Sequence, residues 1–120
     1  MEIIIHELKG TKIAEIQSDD LVVNNTQDAL DIMANAGAQG ARKIILHEKN
    51  ISPEFFQLKT KLAGEILLKF TNYKIDLAVI GEFSKYKSKS LAAFIYETNK
   101  GNQFYFVNDI ETAKSKLLKG

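Results

Sequence analysis

The chain has 120 residues, of which 45% are hydrophobic and 26% are charged, a length and balance typical of one globular domain. We therefore expect residues 1–120 to form a single domain whose core needs no covalent cross-links. Sixteen Lys and Arg residues against fifteen Asp and Glu residues leave a formal net charge of +1. The composition therefore provides no overall electrostatic attraction to nucleic acid or to an anionic membrane.

Cysteine is absent from the sequence. This absence excludes disulfides, thiolate metal sites and cysteine nucleophiles. No apolar segment approaches the ~20 residues that a membrane-spanning helix needs, and the first residues lack the basic region of a signal peptide. The sequence therefore predicts a cytoplasmic protein.

The first two elements are predicted to be strands. Glu2–Leu8 and Thr11–Gln17 are rich in Ile, and the second alternates in the way expected of a half-covered strand. Lys9 and Gly10 lie between them, and Gly accepts the positive φ of a tight turn. An antiparallel hairpin is therefore expected to open the fold.

The pattern then changes to alternating helices and strands. Thr26–Ala38 has helical spacing with Asn25 or Thr26 as its cap, and Lys43–His47 is a short apolar strand. Ser52, followed by Pro53, predicts the start of a helix that runs to about Asn72 and is the longest in the chain.

The last four elements continue this alternation. Asp76–Gly81 is predicted to be a central parallel strand, Ser88–Thr98 a helix and Gln103–Val107 a strand, with a final helix capped by Asp109. The order β-β-α-β-α-β-α-β-α predicts an α/β fold with a mixed, mostly parallel sheet of about five strands and helices packed on it.

Sites in parallel sheets lie beyond the carboxyl ends of the strands. That rule indicates three loops as the functional edge of the molecule: His47–Ser52, Gly81–Ser90 and Asn108–Asp109. The loop 82–90 contains three Lys, three Ser and one Tyr, and it leads into a helix N-terminus where free N–H groups attract anions. It is interpreted either as an anion- or partner-binding loop or as a solvated lysine-rich loop with a serine cap.

His47 follows a strand at this edge, where it could act as an acid, a base or a ligand, or simply pair with a neighbour. His6 is interpreted mainly as structural. Neither histidine has the spacing of a metal site, and no phosphate-binding loop or nucleophile elbow is present. We therefore predict no catalytic residues, no metal and no cofactor. The candidate ligand- or partner-binding residues are His47, Glu48, Ser52, Ser84, Lys85, Tyr86 and Ser88. Ser52 is explained by helix capping, with modification as the alternative.

Several segments resemble the bacterial "domain of unknown function 4180" family. They include His47–Ser52, the run from Phe55 to Ile66, Gly81–Tyr86 and Phe94–Glu97, and the resemblance extends over nearly the whole chain. The element order is more distantly similar to the STAS, or anti-sigma-factor antagonist, fold. That similarity implies protein docking or ligand sensing, in some members with serine phosphorylation. The loop before Pro53 retains one Ser and lacks the phosphorylation motif.

Two functions follow as hypotheses. The first is a non-enzymatic regulatory or protein-interaction module, whose partner is another protein or a second copy of the chain. The alternative is a small-molecule or anion-binding protein, or a small enzyme, with its site at the carboxyl edge. No nucleic-acid or membrane partner is expected.

Overall fold

The computed structural model describes residues 1–119. Within that range the predicted order β-β-α-β-α-β-α-β-α is confirmed. The strands are β1 (Glu2–Leu8), β2 (Thr11–Gln17), β3 (Lys43–His47), β4 (Asp76–Ile80) and β5 (Phe104–Val107). The α-helices are α1 (Thr26–Ala38), α2 (Leu62–Asn72), α3 (Lys89–Asn99) and α4 (Ile110–Lys119).

The strands lie side by side in chain order, β1-β2-β3-β4-β5. β1 pairs antiparallel with β2 through a two-residue turn at Lys9 and Gly10, both of which have positive φ. The β2–β3, β3–β4 and β4–β5 pairings are parallel. The prediction of an α/β fold with a mixed five-stranded sheet is therefore confirmed. β4, predicted to be central, is an interior strand next to the middle strand, β3.

The helices are divided unequally between the two faces of the sheet. Because every parallel crossover advances the sheet in the same direction, α1, α2 and α3 lie on one face, where they share a core with the side chains of Ile44, Leu46 and Leu77. On the other face α4 packs alone, with Ala113 and Leu117 against a smaller core. Part of this second face is therefore left without a helix. None of the helices in residues 1–119 is long and apolar enough to cross a membrane.

The prediction of one long helix from Ser52 to Asn72 is wrong. Residues 53–56 and 58–60 form two 3₁₀ turns, and α2 begins only at Leu62. Phe55 and Phe56 are adjacent and both buried. Lys61 has a left-handed φ of 68°, which a continuous α-helix from Ser52 to Asn72 could not contain. As a result α1, with 13 residues, is longer than α2, with 11.

Asn50 joins the β2–α1 loop to the loop after β3. Its side chain is fully buried, and its Nδ2 donates to the carbonyl oxygens of Ser18 and Asp20, each at 2.8 Å. The main-chain carbonyl oxygen of Asn50 accepts from the backbone N–H groups of Val22, at 2.8 Å, and Val23, at 3.1 Å. The two loops are therefore held together at the carboxyl edge of β2 and β3.

We predict that Asn50→Ala lowers the free energy of unfolding by about 2 kcal/mol, because two buried hydrogen bonds are lost and two carbonyl groups lose their partner. Urea denaturation followed by circular dichroism measures this difference. Asn35→Ala is the matched control, since Asn35 is exposed within α1 and Ala favours a helix. Equal stability of the two variants would contradict a structural role for Asn50.

Candidate functional site

Two of the three predicted loops meet at the carboxyl edge of the sheet. β3 and β4 are parallel neighbours in which His47 lies opposite Ile80. The residue after His47 is therefore next to the residues after Ile80. Through this register the chain brings Glu48 against the loop that contains Lys85 and Tyr86.

The Glu48 carboxylate is surrounded by donors. Oε1 accepts from the backbone N–H of Glu82 at 3.1 Å. Oε2 accepts from the Tyr86 hydroxyl and forms an ion pair with Lys85 Nζ at 2.9 Å. Only 11% of the Glu48 side chain is exposed. Three predicted candidates, Glu48, Lys85 and Tyr86, are thus brought together, and Lys85 also lies over the Tyr86 ring.

These contacts change the ionisation of both Glu48 and Tyr86. Burial raises the pKa of Glu48, but the hydrogen bonds from Tyr86, Lys85 and Glu82 outweigh it and leave that pKa below its usual range. The pKa of Tyr86 is raised, first by burial and then by the neighbouring carboxylate. At neutral pH the cluster therefore contains a carboxylate and a neutral phenol that donates to it.

Gly81 makes room for this cluster. A Cβ built on Gly81 would lie 2.6 Å from the Cβ and 2.5 Å from Oε1 of Glu48, and 3.0 Å from Cζ of Phe83. Real side chains do not approach so closely. The glycine after β4 therefore allows Glu48 to reach its donors.

Three aromatic side chains, Phe56, Phe83 and Tyr86, lie beside the cluster and form what we call the aromatic wall. The rings of Phe56 and Tyr86 are stacked with centroids 5.3 Å apart, and Phe83 lies 5.9 Å from Phe56. Phe56 and Tyr86 line two grooves, one of about 260 Å³ and one of about 430 Å³. The first groove also contains Lys49 and Lys85, and the second contains Lys59, Lys87, Ser88 and Ser90.

The three predicted serines do not join the Glu48 cluster. Ser52 is buried and accepts from the backbone N–H of Glu54 at 3.3 Å, so its interpretation as a cap is confirmed. Ser88 caps α3 by accepting from Leu91 N–H at 3.1 Å, and it also lines the larger groove. Ser84 is exposed on the loop.

His47 points to the opposite side of the sheet from Glu48. Its Nε2 donates to Oε2 of Glu15 at 2.7 Å, and Nε2 of His6 donates to Oε1 of the same carboxylate at 2.8 Å. Glu15 is 6% exposed. The two histidines of the chain therefore share one buried carboxylate on the face where α4 packs alone.

The sequence analysis did not identify Glu15, and it treated His6 as unrelated to His47. Only strand register reveals the cluster, because Glu15 lies opposite Ile4 of β1 and opposite Ile45 of β3. Side chains two residues further along β1 and β3, at His6 and His47, are on the same face. The cluster of Glu15 with the two histidines could have been predicted from one signal, a single acidic residue in the strand between two strands that each carry a His.

The Glu15 cluster lies at an open cleft of about 340 Å³. Both histidines are partly exposed, and neither Nδ1 atom has a hydrogen-bond partner within residues 1–119. No group of three or more His, Asp or Glu side chains in that range has the arrangement needed to hold a metal ion. The cleft is lined by Glu2, Glu15, Gln17, Ser18, Asp19, His47 and Lys49.

Glu15 is held ionised by its neighbours. Burial raises its pKa, but the hydrogen bonds from His47 and His6 outweigh that effect, and the pKa is lowered overall. The carboxylate can therefore orient both imidazoles, and His47, which lines the cleft, keeps its Nδ1 available to a bound molecule.

We predict that Glu15 contributes to stability only in its ionised form. Because its pKa is lower in the folded than in the unfolded chain, the contribution is complete above the unfolded value of about 4.3. It is lost as the pH falls through the lower, folded pKa. Urea denaturation from pH 7 to pH 3, compared between the wild type and Glu15→Gln, should therefore show a stability difference that shrinks towards acid.

The control for this measurement is Glu7→Gln, the same chemical change at an exposed position on β1. Its stability difference from the wild type should stay near zero throughout the titration. A Glu15→Gln difference that is constant with pH would show that the carboxylate charge has no part in the pairing.

No curated protein and no solved structure gives a significant match to the chain. A family model matches residues 8–117, and its description is "Domain of unknown function (DUF4180)". Both clusters lie almost entirely within the matched range, with only His6 before it. The chain is therefore a member of the DUF4180 family.

Proposed function

We propose that the chain is a non-enzymatic regulatory module that binds an acidic segment of another protein at its carboxyl edge. The observation that carries this proposal is the pairing of Glu48 with Lys85 and Tyr86. The pairing neutralises the acidic side chain nearest the aromatic wall and fixes the loop after β4. The surrounding surface is then dominated by lysines.

Three exposed lysines remain around the two grooves. Lys49, Lys59 and Lys87 form no ion pair within residues 1–119. They surround the buried Phe56 and the partly exposed Tyr86, which provides apolar contact area at the centre. An aromatic anchor with a charged rim is the usual composition of a protein-binding surface. Carboxylate side chains of a partner would complement this rim.

The hairpin-first element order supports a STAS-like docking role by fold analogy. In this proposal Ser52 is not a switch, because it is buried and its Oγ accepts from Glu54 N–H. The seven candidate residues then have separate tasks. Glu48, Lys85 and Tyr86 organise the edge. Ser52 caps a 3₁₀ turn, Ser88 caps α3, and Ser84 is exposed for contact with a partner. His47 belongs to the other face.

We predict that fluorescein-labelled peptides with acidic residues on both sides of an aromatic residue bind the wild type in a salt-dependent manner. Lys87→Glu should weaken binding about fivefold to tenfold, since reversing one rim charge costs roughly 1 kcal/mol. Fluorescence anisotropy measures the dissociation constants. Lys116→Glu, an exposed position on α4, is the matched control.

This proposal fails if no acidic peptide binds at concentrations up to about 1 mM. It also fails if Lys116→Glu weakens binding as much as Lys87→Glu, because a general charge effect would then explain the result.

The Glu15 cleft supports a second candidate function, the binding of a small molecule. His47 lines this cleft and is oriented by the buried Glu15 carboxylate, which also holds His6. An imidazole held in this way is suited to hydrogen bonding or to proton transfer. The charged lining consists of three carboxylates and Lys49, beside His47. This charge favours a cationic or neutral polar molecule over the anion expected from the sequence.

We predict that at least one compound in a panel of small amines and polyols raises the melting temperature of the wild type. At one hundred times its dissociation constant a ligand adds about 2.7 kcal/mol of stability. Glu15→Gln should abolish the shift, and Glu7→Gln should retain it. Inorganic phosphate is included as the anion, and a shift with phosphate alone would contradict the assignment of ligand charge.

A further inference from the structure

The outer edge of β1 has a regular set of unused backbone groups. The turn between β1 and β2 has two residues, so Leu8 and Thr11, which flank it, form a hydrogen-bonded pair. Such pairs alternate along an antiparallel ladder. His6, Ile4 and Glu2 therefore direct their N–H and C=O groups towards β2, whereas Glu7, Ile5 and Ile3 direct theirs outward.

No group within residues 1–119 covers these outward N–H and C=O groups. The opposite edge of the sheet is treated differently. There the side chain of Asn99 makes two hydrogen bonds to Phe106 of β5, accepting from its N–H at 2.7 Å and donating to its carbonyl at 3.1 Å. The edge at β5 is therefore occupied by the Asn99 side chain. The other edge strand, β1, is longer and remains available for pairing.

We propose that β1 pairs antiparallel with β1 of a second copy of the chain, with the twofold axis at Ile4. In this register Ile4 lies opposite its own counterpart, Ile3 lies opposite Ile5, and Glu2 lies opposite His6. The outward N–H and C=O groups of Ile3 bond those of Ile5 in the second copy. The two sheets then form one continuous ten-stranded sheet.

Side-chain complementarity selects this register. Ile3 and Ile5 are half-buried on the face covered by α1–α3, so their pairing joins two apolar surfaces. On the other face Glu2 is brought beside His6, whose Nδ1 has no partner within residues 1–119. An axis at Ile5 would instead place Ile3 opposite Glu7 and Glu2 opposite Leu8. Each of those pairs puts a carboxylate against an apolar side chain.

The interface gives the Glu15 cluster a neighbour from the second copy. His6 donates Nε2–H to Glu15, and the register places Glu2 of the second copy beside the same imidazole. A seam of two short strands is small for a protein interface, so we expect a reversible dimer whose population rises with concentration.

Because the chain contains no cysteine, a single introduced cysteine tests the register directly. Under mild oxidation, Ile4→Cys should form a disulfide-linked dimer, since residues facing each other across an antiparallel pair have Cβ atoms about 5 Å apart. Ile5→Cys is the matched control, one residue away. It should remain monomeric, because Ile5 meets its own counterpart only with the axis at Ile5. Cross-linking of Ile5→Cys in preference to Ile4→Cys would overturn the proposed register.

Sedimentation equilibrium of the unmodified chain tests the dimer without any change in sequence. The weight-average mass should rise with concentration, and Ile3→Pro should raise the dissociation constant at least about tenfold. This substitution removes an outward N–H in each copy and leaves the β1–β2 ladder intact. Circular dichroism checks that Ile3→Pro folds. A wild-type chain that stays monomeric up to about 1 mM would overturn the proposal.

Discussion

The parallel pairing of β2, β3, β4 and β5 in chain order is the constraint on which the other features depend. Because each crossover moves the sheet in one direction, three helices are placed on one face and only α4 remains for the other. The open part of that second face is where Glu15 holds His6 and His47. The same register sets the carboxyl ends of β3 and β4 side by side, which brings Glu48 to Lys85 and Tyr86.

Both clusters are built around a buried carboxylate whose donors outweigh the cost of burial. A carboxylate removed from water is tolerated only when hydrogen bonds or ion pairs replace its hydration. Glu15 receives these from two imidazoles, and Glu48 from a phenol, an ammonium group and a backbone N–H. His47 and Glu48 are consecutive, yet they belong to opposite faces of the sheet. The end of β3 therefore connects the acidic cleft with the lysine-rich edge.

Much of the fold could be predicted, since the apolar period and the turn residues are local properties of the chain. The helix from Ser52 to Asn72 was predicted wrongly because the start signal at Ser52 and Pro53 is real but leads only into a 3₁₀ turn. The burial of both Phe55 and Phe56 depends on the core that they enter, including Phe106. At the site, Glu48, Lys85 and Tyr86 were selected from their positions after two strands, and the structure brings them together.

The class of fold, the order of the strands and helices, and the edge where the candidate loops meet could all be read from the amino-acid sequence. Those features follow from periodicity, capping residues and the rule that parallel strands share their carboxyl ends. The pairing of particular side chains could be read only from the folded chain, because it depends on strand register. Glu15 reaches both histidines since it lies between them on adjacent strands, and a shift of one residue would turn it to the opposite face. The room that Gly81 leaves for Glu48 likewise exists only once β3 and β4 are paired.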